Sequence, residues 1–340
     1  MRSERISVLL SPLIGFAVCA LIILFCAKTP AQALESLFTG VLSTPYYLGT
    51  MLNTASFLML AGAGAGLALK GGNMNLGGEG QIYLGGYITC LVLNLPLEIP
   101  AVPKLLLALA LCTAAGASLA LVSAVLKETR GAQVLLTSFL ASAAIIPLID
   151  GLITFSKGPG SQNLLALPFI GGEFRLRQIM SPSPLSISFF IALFVCAACW
   201  IFLHMTSPGR KLQVWGTAPE FATYSGYSSY AVTGATMAVS GALHALTGFF
   251  AVCGTYYTCH KGFATGMGWN ALSAALIVSS NPLALIPSAI VLGWLYTSAD
   301  IVGLTQGFNF DISGIVQGCV LFSIAVPVII RRTKKSGVKE

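Results

Sequence analysis

The sequence predicts an all-α polytopic membrane protein of about ten transmembrane helices, built as two pseudo-repeated halves. Three observations predict it. The 340-residue chain is 56% hydrophobic and 9% charged, with a mean hydropathy of +0.84, whereas soluble domains carry about 25% charged residues. Apolar runs close to the roughly 20 residues that cross a bilayer recur along its whole length. Lysine and arginine gather at the ends of those runs, where they set topology, so the net charge of +7 does not imply nucleic acid.

The first run, 6–27, follows Arg2 and Arg5. It exceeds a signal-peptide core and no small-x-small cleavage pattern follows, so it reads as a retained span. The remaining spans fall at 47–69, 80–95, 102–126, 132–154, 184–206, 229–251, 267–281, 283–302 and 312–330. The eighth is short, and Asn281-Pro282 turns it into the ninth. With the N-terminus inside, six basic residues face out: Lys28, Lys104, Lys157, Arg175, Arg177 and Lys261. The other 12 of the 18 face in, which predicts N-in and C-in and an even number of spans. Eight spans satisfy the same parity.

Two connections are long. Residues 155–183 lie outside and hold Gly158-Pro159-Gly160, Gly171-Gly172 and Ser181-Pro182-Ser183-Pro184; residues 207–228 lie inside. No soluble domain stands apart, so 1–340 reads as a single transmembrane domain. Glycine-rich breaks occur twice, as GGNMNLGGEGQ at 71–81 and KGFATGMGWN at 261–270, before the third and eighth spans. Spans 2–5 and 7–10 are therefore expected to be two related halves on opposite membrane sides. Paired breaks of this kind point to a transport path.

Polar residues inside such breaks need a reason. Backbone that leaves the helix at membrane depth is tolerated only when buried in protein or lining a wet cavity. A central acidic residue costs roughly 2.5–3.5 kcal/mol on insertion scales, so Glu79 requires partners. Asn73, Asn75 and Gln81 can complete a network with it. Glu79 and Gln81 then either hold the broken segment or touch the solute directly. Nine cysteines are scattered through apolar runs, and Cys196 and Cys199, a CxxC without acidic or histidine neighbours, read as packing residues. Cys253 and Cys259 flank an outer loop, where a disulfide is conceivable. His204, His244 and His260 form no site, and no metal-spaced set, GxSxG or HExxH occurs. No catalytic or metal residue and no cofactor is expected. GxxxxGK[ST] is absent too, so ATP hydrolysis does not belong to this chain.

Four stretches carry a resemblance. Asn75, Gly77, Glu79, Gly80 and Gln81 in NLGGEGQ match an N-I-G-x-E-G-Q signature. Gly216, Pro219, Glu220, Ala222, Tyr224 and Gly226 match a G-x-N-P-E-A-A-x-Y-x-G-I segment, with Ala218 in place of Asn and Phe221 in place of Ala. SGALHALTG at 240–248 is similar to S-G-A-L-A-G-L-A-G, with His244 replacing a small residue. Gly266, Gly268, Trp269, Asn281, Pro282 and Leu283 match a fourth motif, in which Asn270 replaces the usual Asp and Ala271 the usual Gly. Over residues 45–330 the chain resembles inner-membrane permeases of bacterial ABC importers, of the branched-chain amino acid, ribose and nucleoside group, and most of all their nucleoside-type branch.

The resemblance implies a permease subunit in the bacterial inner membrane. Implied partners are a cytoplasmic ABC ATPase, a second permease subunit identical or related, an extracytoplasmic substrate-binding lipoprotein and membrane lipid. It implies that 207–228 is the coupling loop and that Pro219, Glu220, Phe221, Tyr224 and Gly226 meet the ATPase. Physically this is compatible: Pro219 suits a helix start, Glu220 its positive end, and Phe221 and Tyr224 share a face. The substrate pathway is expected at Asn73, Asn75, Glu79, Gln81, His244, Trp269 and Asn270. His244 reads either as a packing histidine or as a cavity residue. A nucleoside or riboflavin is the expected solute, with a ribose-type sugar permease and an ion-coupled carrier as the alternatives.

Overall fold

With no water in hydrocarbon to bond a free peptide group, a spanning chain must satisfy its backbone within helices or against neighbouring protein. The computed structural model describes residues 11–156 and 165–336. Arg2, Arg5, Lys157, Gly158-Pro159-Gly160 and Lys339 lie outside the described residues. Helices dominate, and two isolated bridges, Ala166 to His260 and Gln178 to Ser186, are the only extended pairings among the described residues.

Among the described residues thirteen α-helices follow one another: α1 (Ser11–Cys26), α2 (Pro30–Thr39), α3 (Pro45–Lys70), α4 (Gly78–Asn94), α5 (Ala101–Arg130), α6 (Val134–Phe155), α7 (Ser188–Met205), α8 (Ser207–Thr217), α9 (Pro219–Tyr224), α10 (Ser229–Ala251), α11 (Met267–Ile277), α12 (Pro282–Gln306) and α13 (Ile312–Ser336). Ten of them stand where the ten spans are expected. Six (α3, α5, α6, α7, α10 with its extension to Tyr256, and α12) are long and apolar enough to cross a membrane. α2, α8 and α9 are additions. α2 is too short to span and buries only Ala33 and Leu37. α8 and α9 fold the 207–228 segment, in which the sequence marks a helix start only at Pro219. α11 stops at Ile277 rather than 281 because Ser279 and Ser280 take left-handed backbone, and Asn281 then caps α12.

The two halves are interlocked. α3 packs against α11 and α12 of the second half, while α10 packs against α4 and α5 of the first; α3 and α10 also meet each other. Small residues make this close approach possible, as membrane helix contacts require. The α10 glycines show it best. Gly241 lies on the Gly116 backbone of α5, and Gly248 on the backbone of Ile82 in α4, both too near for a Cβ. Around this centre α5, α6 and α7 turn apolar side chains outward, among them Leu106, Phe139, Phe155 and Phe194. In water such a surface would be a liability; in lipid it is the solvated face.

Each break is covered from its own side of the membrane. On the 207–228 face, Gly216 of α8 lies on the backbone of Lys70 and Gly72. On the opposite face, α10 runs into a π-helical turn, Val252–Tyr256, and the 165–187 connection bonds to that turn and to the residues just beyond it. Leu167, Ile170 and Leu176 donate N–H groups to the carbonyls of Cys259, Tyr257 and Cys253, at 3.0, 2.9 and 2.9 Å. Cys253 and Cys259 are free buried thiols.

Candidate functional site

The site begins at the end of α3. Gly72, at φ +73°, closes that helix with a Schellman turn: Asn73 N–H bonds Ala68 O at 2.9 Å and Gly72 N–H bonds Leu69 O at 3.1 Å. A residue with a Cβ is strained there. The chain then runs irregularly through 73–77, so its peptide groups and side chains need partners from other helices.

They find them. Asn73 donates to Thr236 Oγ1 at 3.1 Å, and its Oδ1 accepts from Lys127 Nζ at 2.8 Å. The Asn75 amide donates to Gln81 Oε1 and Ser240 Oγ, both at 2.9 Å, and its Oδ1 accepts from Gly77 N–H at 2.9 Å and Gln81 Nε2 at 3.2 Å. Ser138 and Ser142 of α6 accept the N–H groups of Leu76 and Gly80 at 3.0 and 2.8 Å. His244 Nδ1 lies 2.8 Å from Gln81 Oε1. A carbonyl oxygen only accepts, so this contact places the imidazole proton on Nδ1. Nε2 then has no hydrogen-bond partner among the described residues and faces Gly78.

The second break brings α11 to the same place. Gly268 packs on the backbone of Gly78 and Glu79, so the N-terminal ends of α4 and α11 abut. Both helix ends present positive dipole and free N–H groups. Glu79, half-buried, sits at this junction with its carboxyl facing the Gly266 amide. Trp269, also half-buried, meets the edge of Phe139 with ring centroids 6.3 Å apart. Asn270 is buried, its Oδ1 without a hydrogen-bond partner among the described residues. Gln317 of α13 reaches the same turn beside Gly266.

The seven expected pathway residues thus gather around one junction, in two groups. Asn73, Asn75, Gln81, His244 and Asn270 are buried behind it, and Glu79 and Trp269 are partly open. Sequence reasoning missed Lys127, Ser138, Ser142, Thr236 and Ser240. A signal for two of them was present. Thr233, Thr236, Ser240, His244 and Thr247 recur at three- and four-residue spacing and form a buried polar stripe on α10.

On the 165–187 face, Tyr83 Oη donates to Asp150 Oδ1 at 2.6 Å and accepts Gly262 N–H at 3.2 Å, while Lys261 Nζ stands 4.0 Å from Asp150 Oδ2. These contacts tie the second break to α4 and α6. Between the start of α3, the end of α12 and the start of α13 lies an open cavity of about 450 Å³, walled by Tyr46, Tyr47, Asp300, Phe308, Phe310 and Asp311.

On the other face α8 buries Leu212 and Trp215 and carries α9 outward. α9 starts on Pro219 and buries Ala222, leaving Glu220 exposed, Phe221 64% exposed and Tyr224 93% exposed. Gly226, at φ +80°, ends it with a second Schellman turn, Tyr227 N–H to Ala222 O at 3.0 Å. Gly226 therefore shapes the helix end.

A multi-span protein with two opposed helix breaks and an exposed aromatic helix on one face has the build of a membrane permease. The family comparison agrees: residues 47–325 match the model for the permease component of branched-chain amino acid transport systems, and the chain belongs to that family. It is 34% identical over 314 residues to a protein of Treponema pallidum named as a probable riboflavin import permease, RfuC, covering 92% of this chain and 83% of that one. It is 26% identical over 352 residues to the guanosine ABC transporter permease NupP of Bacillus subtilis, covering 98% and 99%. It is 25% identical over 337 residues to the nucleoside ABC transporter permease NupB of Lactococcus lactis, covering 95% and 91%. This is an ABC permease of the nucleoside and riboflavin type, a multi-pass membrane transport subunit.

Proposed function

We propose that the chain imports a neutral, ring-bearing ribosyl or ribityl solute, a nucleoside or riboflavin, using ATP hydrolysed on a separate chain. The observation that carries this reading is α9. A six-residue helix that exposes Phe221 and Tyr224 beyond any core of this chain is built to be covered by another protein. An ion-coupled carrier has no use for it. In this reading Glu220, Phe221 and Tyr224 meet the ATPase, with Pro219 and Gly226 fixing the ends of the helix. The 207–228 face is then cytoplasmic, and both termini lie on the cytoplasmic side of the bacterial inner membrane.

A second permease chain completes the passage against the peripheral helices. An extracytoplasmic binding protein delivers solute on the face that holds the 450 Å³ cavity. Glu79 and Trp269 face the passage, where a carboxylate and an indole suit a hydroxylated ring. Asn73, Asn75, Gln81, His244 and Asn270 hold the junction from behind. The test is uptake by the assembled complex, competed by unlabelled nucleosides, riboflavin and ribose. Competition by a nucleoside or by riboflavin, with ribose inert, is the expected result. Competition by ribose alone contradicts the proposed solute class.

A further inference from the structure

On the 207–228 face a tight backbone contact joins α8 to the first break. Gly216 lies on the carbonyl of Lys70, and the place a Gly216 Cβ would take is also 3.2 Å from Gly72 N. From the other side, a Gly72 Cβ would sit 3.5 Å from the Gly216 Cα. No flexible side chain intervenes, so the contact transmits displacement rather than absorbing it. One residue before Gly216, Trp215 is buried, and two residues after Thr217 the chain enters α9 at Pro219. One residue after Gly72, Asn73 is pinned to α10 by Thr236 and to α5 by Lys127. From there toward Glu79, the Asn75 side chain and the N–H groups of Leu76 and Gly77 are each bonded.

We propose that Gly216 and Gly72 form the mechanical contact through which movement of α9 reaches the helix junction at Glu79. They are positioning residues for transport: neither touches solute or nucleotide. The inference rests on the reading of α9 as the ATPase contact. Movement of α9 drags α8, α8 displaces the Schellman turn at Gly72, and the bonded 73–77 segment carries the shift to the N-terminal end of α4. Any side chain at position 216 lifts α8 off Lys70 and breaks the link while leaving α9 itself intact.

The test uses the full permease–ATPase complex in lipid with its solute-delivering protein. In Gly216→Ala, ATP hydrolysis without solute should persist, stimulation of hydrolysis by loaded binding protein should be lost, and uptake should fall with it. A merely structural role would lower assembly and both hydrolysis rates together. Gly151→Ala, at a glycine with nothing within 4 Å of the added methyl, serves as the control and should behave as wild type. Undiminished stimulation and uptake in Gly216→Ala overturn the proposal. If that variant fails to assemble, wild-type amide exchange decides. Adding a non-hydrolysable ATP analogue should change exchange at 207–217 and at 70–77 together; change at 219–226 with none at 70–77 overturns the link. Cross-linking of Phe221→Cys to the ATPase tests the docking reading separately, so its failure is distinguishable from failure of the link.

Discussion

Asn75 shows how a polar side chain earns its place at membrane depth. It satisfies Gly77 N–H, both ends of the Gln81 amide and the Ser240 hydroxyl. Replacing it with alanine removes the partner of Gly77 N–H, Gln81 Nε2 and the Ser240 hydroxyl, at about 1–3 kcal/mol for each one left buried without a partner, while Gln81 Oε1 keeps His244. Asn75→Ala should therefore lower the unfolding midpoint of the purified protein in detergent, and an unchanged midpoint would contradict the network. Glu79 differs: it is half-exposed and bonded to little besides the Gly266 amide. Glu79→Gln keeps the shape and the hydrogen-bonding capacity, so the midpoint should hold while solute uptake drops. Equal loss of stability in both variants would place Glu79 among the holding residues. At this scale the sequence was partly legible. Amides and a carboxyl among glycines announce themselves, whereas Ser138 and Ser142 look like any small residue in an apolar helix until the break arrives opposite them.

At the scale of elements, glycine position separates packing from loop chemistry. Gly248→Ala forces α10 away from the Ile82 backbone, so folded yield from membranes should fall sharply. Gly151→Ala, in open space within α6, should be neutral or stabilising by up to about 1 kcal/mol because alanine favours the helix. Phe221→Ala and Glu220→Ala change exposed side chains, so insertion and folding should be normal while ATP-driven uptake is lost. Normal uptake in both would remove the docking role from α9. Helix limits could be read to within a few residues wherever an apolar run was bounded by charge or proline, as for α6 between Arg130 and Lys157. α2 and α8 could not be placed, because each is short and buries only two or three residues, too weak a periodicity to stand out, whereas Pro219 and Glu220 marked the start of α9.

In the molecule as a whole, the two halves exchange α3 and α10, and each break is roofed by a connection from its own side. Charge bias alone orients this arrangement, and in the proposed reading the 207–228 face is the one that meets an ATPase. Single cysteines at exposed Thr217 and Ser225 should be labelled by impermeant maleimide only from the cytoplasmic side, and cysteine at exposed Ile179 only from the outside. The reverse pattern would invert the topology and remove the ATPase from α9. The interlocking was not legible in the sequence, since weak similarity between halves says nothing of which helix packs on which. The paired glycine breaks foretold only that two irregular segments exist.

The central claim is that this polypeptide opens and closes a passage but draws its energy from another chain. Accumulation of labelled nucleoside or riboflavin in proteoliposomes measures it most directly. Vesicles holding the permease with its ATPase, binding protein and ATP should concentrate solute inside, and those holding the permease alone should not. Uphill accumulation by the permease alone, with nucleotide omitted, would contradict the account.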